Sequence, residues 1–291
     1  MESILNKAKQ LKYNSLEYVD EEEIYDSKIC IQEENCIIFF KELEDKIKLF
    51  WAANTKEDFF IGLKAVEDFM IKNMMDTEKL YIEFVPEDFL EEMYGEGYKI
   101  YSEYVDFWSY DIDNLEIREK ENTYIRVLKS TEYESASDVT RSCRGNSRGF
   151  EGETNEWIKE WHESDDLQVF AAELDGIVVG ICCVGLYGFE SENGIVLWIR
   201  EIAVRPQYQE QGIGRLLLEN AILWGQQNNA KRSFLACDVE NYNAIRLYES
   251  FGYKRKDGRG QINMEKVIKK MQGMEDALDI TIIGGIIYAR N

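Results

Sequence analysis

The chain has 291 residues, 45% hydrophobic and 31% charged, which indicates a folded protein of one large domain or two of ordinary size. The formal net charge of −22 argues against nucleic acid as a partner and favours a cationic one such as an amine, with solubility alone as the alternative explanation. The sequence has neither a run of 18 apolar residues nor the basic-then-apolar start of a signal peptide, so we expect a cytoplasmic protein with no membrane partner.

Residues 1–115 are predicted to form an N-terminal α/β domain. Apolar periodicity predicts helices over 4–11, 57–73 and 87–94, and strands over 27–32, 36–40, 46–53, 80–85 and 99–108. Residues 1–120 hold 30 acidic and 14 basic side chains, so most of the excess negative charge lies here. The polar segment 110–123 is the predicted linker.

Residues 116–291 are predicted to form a second domain. The pattern predicts strands over 124–128, 168–173, 177–187, 195–204, 233–239 and from 253 onward, and helices over 131–143, 154–161, 214–227 and 242–251. The order β-α-α-β-β-β-α-β-α-β is that of a mixed α/β sheet.

Neither a metal site nor a cysteine–histidine catalytic pair is predicted. The six cysteines contain no CxxC pair, and His162 is the one histidine in the sequence. We therefore expect no metal, and we expect thiols that are reduced and partly buried.

A glycine-containing segment between a strand and a helix is the first candidate site. It runs Ile202-Ala203-Val204-Arg205-Pro206-Gln207-Tyr208-Gln209-Glu210-Gln211-Gly212-Ile213-Gly214-Arg215. Glycine lets backbone N–H groups approach an anion, and a helix N-terminus adds free donors and a positive dipole end. The segment favours a pyrophosphate cradle that needs no lysine, and a merely tight turn is the alternative.

Two stretches resemble the signatures of the GNAT N-acetyltransferase superfamily. Gln209-Glu210-Gln211-Gly212-Ile213-Gly214 is similar to Q/R-x-x-G-x-G/A. Asn241-Tyr242-Asn243-Ala244-Ile245-Arg246-Leu247-Tyr248-Glu249-Ser250-Phe251-Gly252-Tyr253 is similar to N-x-x-A-I-x-L-Y-E-x-x-G-F/Y. The resemblance covers about residues 123–265. It implies an acyl-CoA N-acyltransferase fold in the second domain and acetyl-CoA as the acetyl donor.

The resemblance also implies roles for the matched residues. After Gln209, the backbone N–H groups of Gln211, Gly212, Ile213, Gly214 and Arg215 would hold the CoA pyrophosphate. Residues Ile202, Ala203 and Val204 would pair with the pantetheine arm, and the amide of Asn241 would hydrogen-bond that arm. Tyr248 would protonate the leaving thiolate, and a half-buried structural tyrosine is the alternative.

Attack by an amine also requires a group that takes its proton. Glu201 directly precedes the cofactor-binding stretch, and many members of the resembled family carry an acid at or next to this position. The alternative for Glu201 is a salt-bridged edge-strand glutamate. A backbone N–H near Val204 would stabilise the oxyanion. Trp198, Tyr187, Glu190 and the loop from Arg144 to Phe150 are expected to shape the amine pocket.

The predicted function is therefore N-acetyl transfer from acetyl-CoA to a primary amine, by direct attack in a ternary complex. The expected acceptor is a cationic small molecule or a protein or peptide amine. The alternative is a CoA-binding regulatory or interaction protein without turnover.

The N-terminal domain carries a weak echo of the second signature. Aligning Gly97-Tyr98-Lys99 with Gly252-Tyr253-Lys254 places Met93 where Tyr248 stands, and no Q-x-x-G-x-G follows the strand over 46–53. We expect a degenerate GNAT-like half that does not bind CoA and packs beside the catalytic half. An unrelated α/β accessory domain is the alternative. The apolar tail 279–289 is predicted to add a strand to either domain or to pair across a homodimer.

Overall fold

The computed structural model describes residues 1–19, 21–73, 78–115, 117, 124–268, 280–283 and 286–289. The strands, in chain order, are β1 (Tyr13–Asn14), β2 (Lys28–Gln32), β3 (Cys36–Glu42), β4 (Ile47–Ala53), β5 (Glu78–Ile82), β6 (Lys99–Ser109), β7 (Ile125–Val127), β8 (Leu167–Leu174), β9 (Ile177–Tyr187), β10 (Val196–Val204), β11 (Arg232–Asp238), β12 (Lys254–Arg255), β13 (Gln261–Ile268), β14 (Ile280–Ile283) and β15 (Ile286–Ala289). The α-helices are α1 (Glu2–Ala8), α2 (Glu21–Tyr25), α3 (Lys56–Asn73), α4 (Leu90–Gly95), α5 (Tyr133–Ser142), α6 (Asn155–Glu163), α7 (Ile213–Gln227) and α8 (Tyr242–Phe251).

The chain forms two compact units, one of residues 1–102 with 261–291 and one of residues 103–260. The predicted domains were 1–115 and 116–291. The second unit instead begins at residue 103 and ends at residue 260. Residues 103–109 of β6 pair with β11, and β13 pairs with β5, so hydrogen bonding between distant segments sets the division. Half of the predicted linker, residues 116 and 118–123, lies outside the described residues.

The first unit is built around a mixed sheet. Strands β2, β3 and β4 form an antiparallel meander, α3 then crosses over to β5, which is parallel to β4, and β13 is antiparallel to β5. In the predicted tail, β14 and β15 pair with each other, and Ile287 of β15 lies opposite Ile31 of β2.

The second unit has the predicted mixed α/β order. Strands β7 to β10 are antiparallel neighbours, α7 crosses over to β11, which is parallel to β10, and β11 is antiparallel to residues 103–109 of β6. Helix α7 buries apolar residues at helical spacing against one side of this sheet. Helices α5 and α6 cover the other side with Ala136, Val139 and Ile158. The fold class predicted from the sequence is confirmed.

Within the described residues, the parallel strands β10 and β11 pair at only three positions, and so do the parallel strands β4 and β5. In the second unit Val196–Trp198 pair with Arg232–Phe234, and β10 then continues to Val204. In the first unit Ile47–Leu49 pair with Leu80–Ile82, and β4 continues to Ala53. In the second unit β11 also continues, to Asp238, so the two strands diverge and leave a gap between them, whereas in the first unit β5 ends at Ile82.

The space beside β4 beyond the end of β5 is filled by side chains of the first unit. The buried Trp51 indole of β4 donates its Nε1–H to the carbonyl oxygen of Glu83, just after β5, at 2.9 Å. Its ring meets that of Phe59 at 4.6 Å between centroids, and Phe59 contacts Phe89 at 5.2 Å. An extended ligand between β4 and β5 would have to displace this aromatic cluster.

Candidate active site

The glycine segment of the second unit forms a loop that leads directly into α7. Pro206–Tyr208 make one 3-10 turn, and the Gln209 side-chain Nε2 donates back to the Val204 carbonyl oxygen at 2.8 Å. Gly212 caps α7 in the left-handed conformation, with φ of 83°. A Cβ on Gly212 would meet nothing within 4 Å, so the backbone angle, not crowding, favours glycine here.

The start of α7 presents free backbone donors. The first recorded bond of the helix is from the Leu216 N–H to the Gly212 carbonyl oxygen, at 3.1 Å. Among the described residues, no acceptor is recorded for the N–H groups of 211–215, and the helix has neither a side-chain cap nor an acidic residue in its first turn. Such a terminus attracts an anion through both its N–H groups and its dipole.

Arg215 faces away from this loop. Its Nη2 donates to Ser250 Oγ at 2.6 Å, and its guanidinium lies 4.4 Å from the centre of the Phe251 ring. The side chain therefore ties α7 to α8, and only the backbone N–H of Arg215 is available to the predicted cradle.

The end of β10 offers backbone groups to the gap. The Arg205 N–H donates to Val179 of β9 at 2.9 Å. Because backbone groups alternate in direction along a strand, those of Ile202 and Val204 point away from β9. The Val204 carbonyl oxygen already accepts from Gln209 and from Cys143 Sγ. The Val204 N–H remains on the side where an oxyanion donor was predicted.

Glu201 lies immediately after an irregularity in β10. The pairing with β9 shifts register between Ile199 and Glu201, which leaves Arg200 as the extra residue of a bulge. The Glu201 side chain is only 12% exposed. Burial raises the pKa of its carboxyl to about 8, with Arg200 acting to lower it, Glu153 to raise it, and the Ile202 N–H to lower it through a hydrogen bond. A carboxyl of this kind can exchange a proton near neutral pH.

Two charged neighbours of Glu201 were not identified from the sequence. Arg200 Nη1 lies 3.9 Å from a Glu201 carboxylate oxygen, and Arg200 Nη2 lies 3.5 Å from Glu153. Burial also raises the pKa of Glu153. The two carboxylates come from segments 48 residues apart in the sequence, so no local motif signals their meeting.

Tyr248 is buried on α8 and faces the same gap. Its ring lies 6.1 Å from Phe107 and 6.4 Å from Tyr253, centroid to centroid. Burial raises its pKa well above the usual value, and Cys237 and Glu201 add to this. Among the described residues, the Tyr248 hydroxyl has no hydrogen-bond partner. The hydroxyl is therefore protonated and available to donate a hydrogen bond.

Asn241 is the N-cap of α8. Its side-chain oxygen accepts from the Ala244 N–H at 3.3 Å, which is an ordinary capping bond. The amide NH₂ has no recorded partner within the described part of the chain, so it stays available as the predicted donor to a ligand.

The loop between α5 and α6 is fastened to the end of β11. Arg148 Nε donates to both carboxylate oxygens of Asp238 at 3.2 Å, and the Tyr104 hydroxyl donates to the Arg148 carbonyl oxygen at 2.6 Å. By contrast, Tyr187 lies opposite Val196, at the far end of β10 from Glu201. Five residues of strand correspond to about 17 Å, so Tyr187 and the following turn with Glu190 are not brought to Glu201.

The cysteines, possible metal ligands and helix lengths of the described residues bear on other functions that the chain could have. All six cysteines are free and buried, and burial raises the pKa of Cys237 to about 12. In the described part of the chain, no three His, Cys, Asp or Glu side chains are grouped as metal ligands. Within the same ranges, no helix has the length and apolarity needed to cross a membrane.

Comparison with known proteins shows that the second unit is similar to one family. The model of the acetyltransferase (GNAT) family matches residues 133–253. Spermine/spermidine N(1)-acetyltransferase of Bacillus subtilis is 33% identical over 100 residues, which cover 33% of this chain and 64% of that protein. An N-alpha-acetyltransferase of Saccharolobus solfataricus is 33% identical over 108 residues, covering 34% and 62%. The chain therefore spans less than two thirds of the length of these relatives.

A solved structure extends the likeness in fold beyond the matched segment. The crystal structure of a GCN5-related N-acetyltransferase from Sphaerobacter thermophilus superimposes with a TM-score of 0.56 and 17% identity. The superposition covers 81% of this chain and 77% of that one. At this identity the likeness concerns the fold alone, and it includes residues from both units.

Proposed function

We propose that this protein transfers the acetyl group of acetyl-CoA to a primary amine, because residues 133–253 match the model of the acetyltransferase (GNAT) family. The observation that carries the proposal is a buried carboxylate, Glu201, in the same gap as a protonated donor, Tyr248, and next to a backbone cradle for an anion. The activity is that of an N-acetyltransferase working by direct attack in a ternary complex.

The residues present fit acetyl-CoA. The N–H groups of Gln211 to Arg215 would hold the pyrophosphate without a cationic side chain, as free helix N-termini do. Ile202, Ala203 and Val204 would line the pantetheine arm, and the Asn241 amide would donate to it. In this mechanism acetyl-CoA supplies the activated acetyl thioester.

Glu201 and Tyr248 divide the proton transfers between them. Glu201 takes a proton from the amine as the nitrogen forms its new bond to the acetyl carbon. The Val204 N–H donates to the carbonyl oxygen as negative charge develops there. As the carbon–sulfur bond breaks, Tyr248 gives its proton to the thiolate and later regains one from solvent. Products are an N-acetylated amine and free thiol.

The acceptor is best sought among cationic amines. The formal charge of −22 favours such a molecule electrostatically, since the field of the whole chain is attractive to cations. One relative is named for spermine and spermidine and another for N-alpha-amines, so polyamines and peptide N-termini are the first two classes to test. A CoA-binding protein without turnover is the second candidate, and the presence of Tyr248 disfavours it.

The test is calorimetric titration of the intact protein with acetyl-CoA, followed by thiol-release assays with spermine, a short peptide and an aminoglycoside. We expect binding by the unaltered protein and at least tenfold weaker binding by Gly212→Glu, which adds strain and a carboxylate at the cradle. Gly258→Glu is the matched control, because Gly258 has φ of 88° and an equally open surrounding, but lies in another turn.

Each outcome decides between the two candidates. Thiol release with any of the amines supports the acetyltransferase. Binding that Gly212→Glu abolishes, without release for any amine, favours the binding module. Absence of binding to the unaltered protein removes both.

A further inference from the structure

The Arg200 side chain is held inside an aromatic frame. Its guanidinium lies 5.5 Å from the centre of the Trp157 ring and 5.8 Å from that of Trp198. Trp161 stacks on Trp157 at 4.8 Å and meets Trp198 edge-on at 5.6 Å. Three indole rings from α6 and β10 thus limit the positions that the guanidinium can reach, and each facing ring attracts the cation.

Glu153 is placed opposite this guanidinium by a rigid piece of backbone. Its N–H donates to Thr140 Oγ1 at 2.8 Å, and its carbonyl oxygen accepts from Ser137 Oγ at 2.6 Å. Both hydroxyl-bearing residues are fully buried on α5. The preceding Gly152 has φ of 86°, and a Cβ there would lie 2.7 Å from the backbone of Arg141. The chain therefore turns at glycine and presents Glu153 in one direction.

Arg200 reaches both carboxylates, at 3.5 Å for Glu153 and 3.9 Å for Glu201. Glu201 interacts electrostatically with titratable groups from every element around it. These groups are Arg200, Glu153, Cys143, Cys182, Cys183, Cys237 and Tyr248. Burial raises the pKa of each thiol and of Tyr248, so these groups are neutral near pH 7. Arg200 is then the one cation in this set.

We propose that Arg200 is a positioning residue that favours the ionised form of the Glu201 carboxylate and fixes that carboxylate in the gap, and that Glu153 and the three tryptophans hold Arg200 there. This inference rests on the proposed function, in which Glu201 accepts the proton of the amine. Burial alone would leave Glu201 as a neutral acid that cannot accept a proton. The nearby guanidinium opposes that tendency, and its planar shape suits the indole faces.

The charge balance of this cluster also bears on the acceptor. With Glu201 ionised, the two carboxylates and one guanidinium carry a net charge of −1, which attracts an ammonium group. After Glu201 has taken the proton, the cluster is neutral and releases the uncharged amide product more readily.

The proposal can be tested by carbon-13 NMR on intact protein labelled at the glutamate side-chain carboxyl carbon. Exposed glutamates titrate near pH 4, so a group titrating at about 8 stands apart. We expect one such signal, absent from Glu201→Gln. In Arg200→Met its midpoint should rise by roughly one to three pH units, as expected for the loss of a cation near 4 Å. In Glu153→Gln the midpoint should fall, because a neighbouring negative charge is lost while Trp157 and Trp198 still hold Arg200.

The controls are Arg141→Met and Glu156→Gln, which remove exposed charges of the same sign from α5 and α6 and should leave the midpoint unchanged. Arg200→Lys keeps the charge and should shift the midpoint less than Arg200→Met. If Arg200→Met does not fold, the lysine and Glu153 variants decide.

The proposal is overturned if Glu201 titrates at the same pH in Arg200→Met as in the unaltered protein. The titration does not depend on turnover. Failure of the proposed function would therefore appear separately, as absent thiol release in a protein with a normal Glu201 titration.

Discussion

Arg148 and Asp238 form a buried ion pair in which one guanidinium nitrogen donates to both carboxylate oxygens, each at 3.2 Å. Asp238 is 1% exposed and also accepts from the N–H groups of Glu103 and Glu240. Through this pair the loop between α5 and α6, which carries Glu153, is fastened to the end of β11. The second acidic partner of Arg148 is Glu240, 57% exposed, at 2.9 Å.

The two acidic partners of Arg148 should contribute very differently to stability. Asp238→Asn should lower the free energy of unfolding by about 3 kcal/mol, because it leaves the Arg148 guanidinium without the buried carboxylate that balances its charge. Glu240→Gln should cost under about 1 kcal/mol, as for an exposed pair. Urea unfolding of both variants measures the difference. Equal losses would show that the burial of Asp238 does not matter.

Removal of the proposed base should reduce turnover without affecting cofactor binding. Glu201→Gln keeps the shape of the side chain but cannot accept a proton, so kcat should fall by about 10² to 10⁴. The rate of the unaltered protein should rise with pH through about 8, where Glu201 ionises, and this step should be absent from the variant. Steady-state kinetics across pH 6–10 checks this, with Glu156→Gln as the control. A variant with full activity would exclude Glu201 as the base.

Tyr248→Phe should separate catalysis from binding. The variant loses the proton donor for the leaving thiolate, so we expect turnover to fall by about 10² or more while acetyl-CoA affinity changes less than threefold. Tyr253→Phe is the control, because the Tyr253 ring packs beside that of Tyr248 but the Tyr253 hydroxyl forms a hydrogen bond with Ser233 Oγ at 2.6 Å. It should cost stability but little activity. If both variants turn over normally, the hydroxyl of Tyr248 has no chemical role.

The buried Glu201 should make stability depend on pH. Its pKa is about 8 in the folded protein and near 4.5 when exposed, so the folded state binds the extra proton between these values. Unfolding then becomes easier as pH rises from about 4.5 to 8. Glu201→Gln removes this contribution. The difference in melting temperature, variant minus unaltered protein, should therefore increase as pH rises from about 4.5 to 8. Parallel melting curves at pH 5 and pH 8 test the sign.

The sequence predicted the glycine turn before α7 and the order of elements because both depend on local patterns. Gly212 and the apolar spacing of α7 lie in one short segment, and the turn between strand and helix follows from them. The segment from Tyr253 was expected to be a single strand. It forms β12 and β13 on either side of Gly258, and β13 lies against β5, because a distant hydrogen-bonding partner was available.

The charged cluster around Glu201 could not be predicted in the same way. The bulge at Arg200 arises from the register between β9 and β10, which no single segment specifies. Glu153 is placed by buried hydroxyls on α5. The echo in the first unit remains a prediction, and it is supported by the meander, crossover helix and parallel strand that the two units have in common. Trp51 gives a physical reason for the expected loss of CoA binding there.

The proposed cradle at the start of α7 is made of peptide N–H groups, and this has a practical consequence for mutagenesis. Every residue except proline supplies the same N–H, so an alanine scan across 207–215 would leave most of these donors in place at every position other than Gly212, whose left-handed backbone favours glycine. The informative substitutions are those that alter the backbone or remove its hydrogen, such as proline at Ile213 or Gly214. The loop is therefore expected to tolerate wide variation in its side chains, apart from Gly212, without losing the N–H groups proposed to bind an anion.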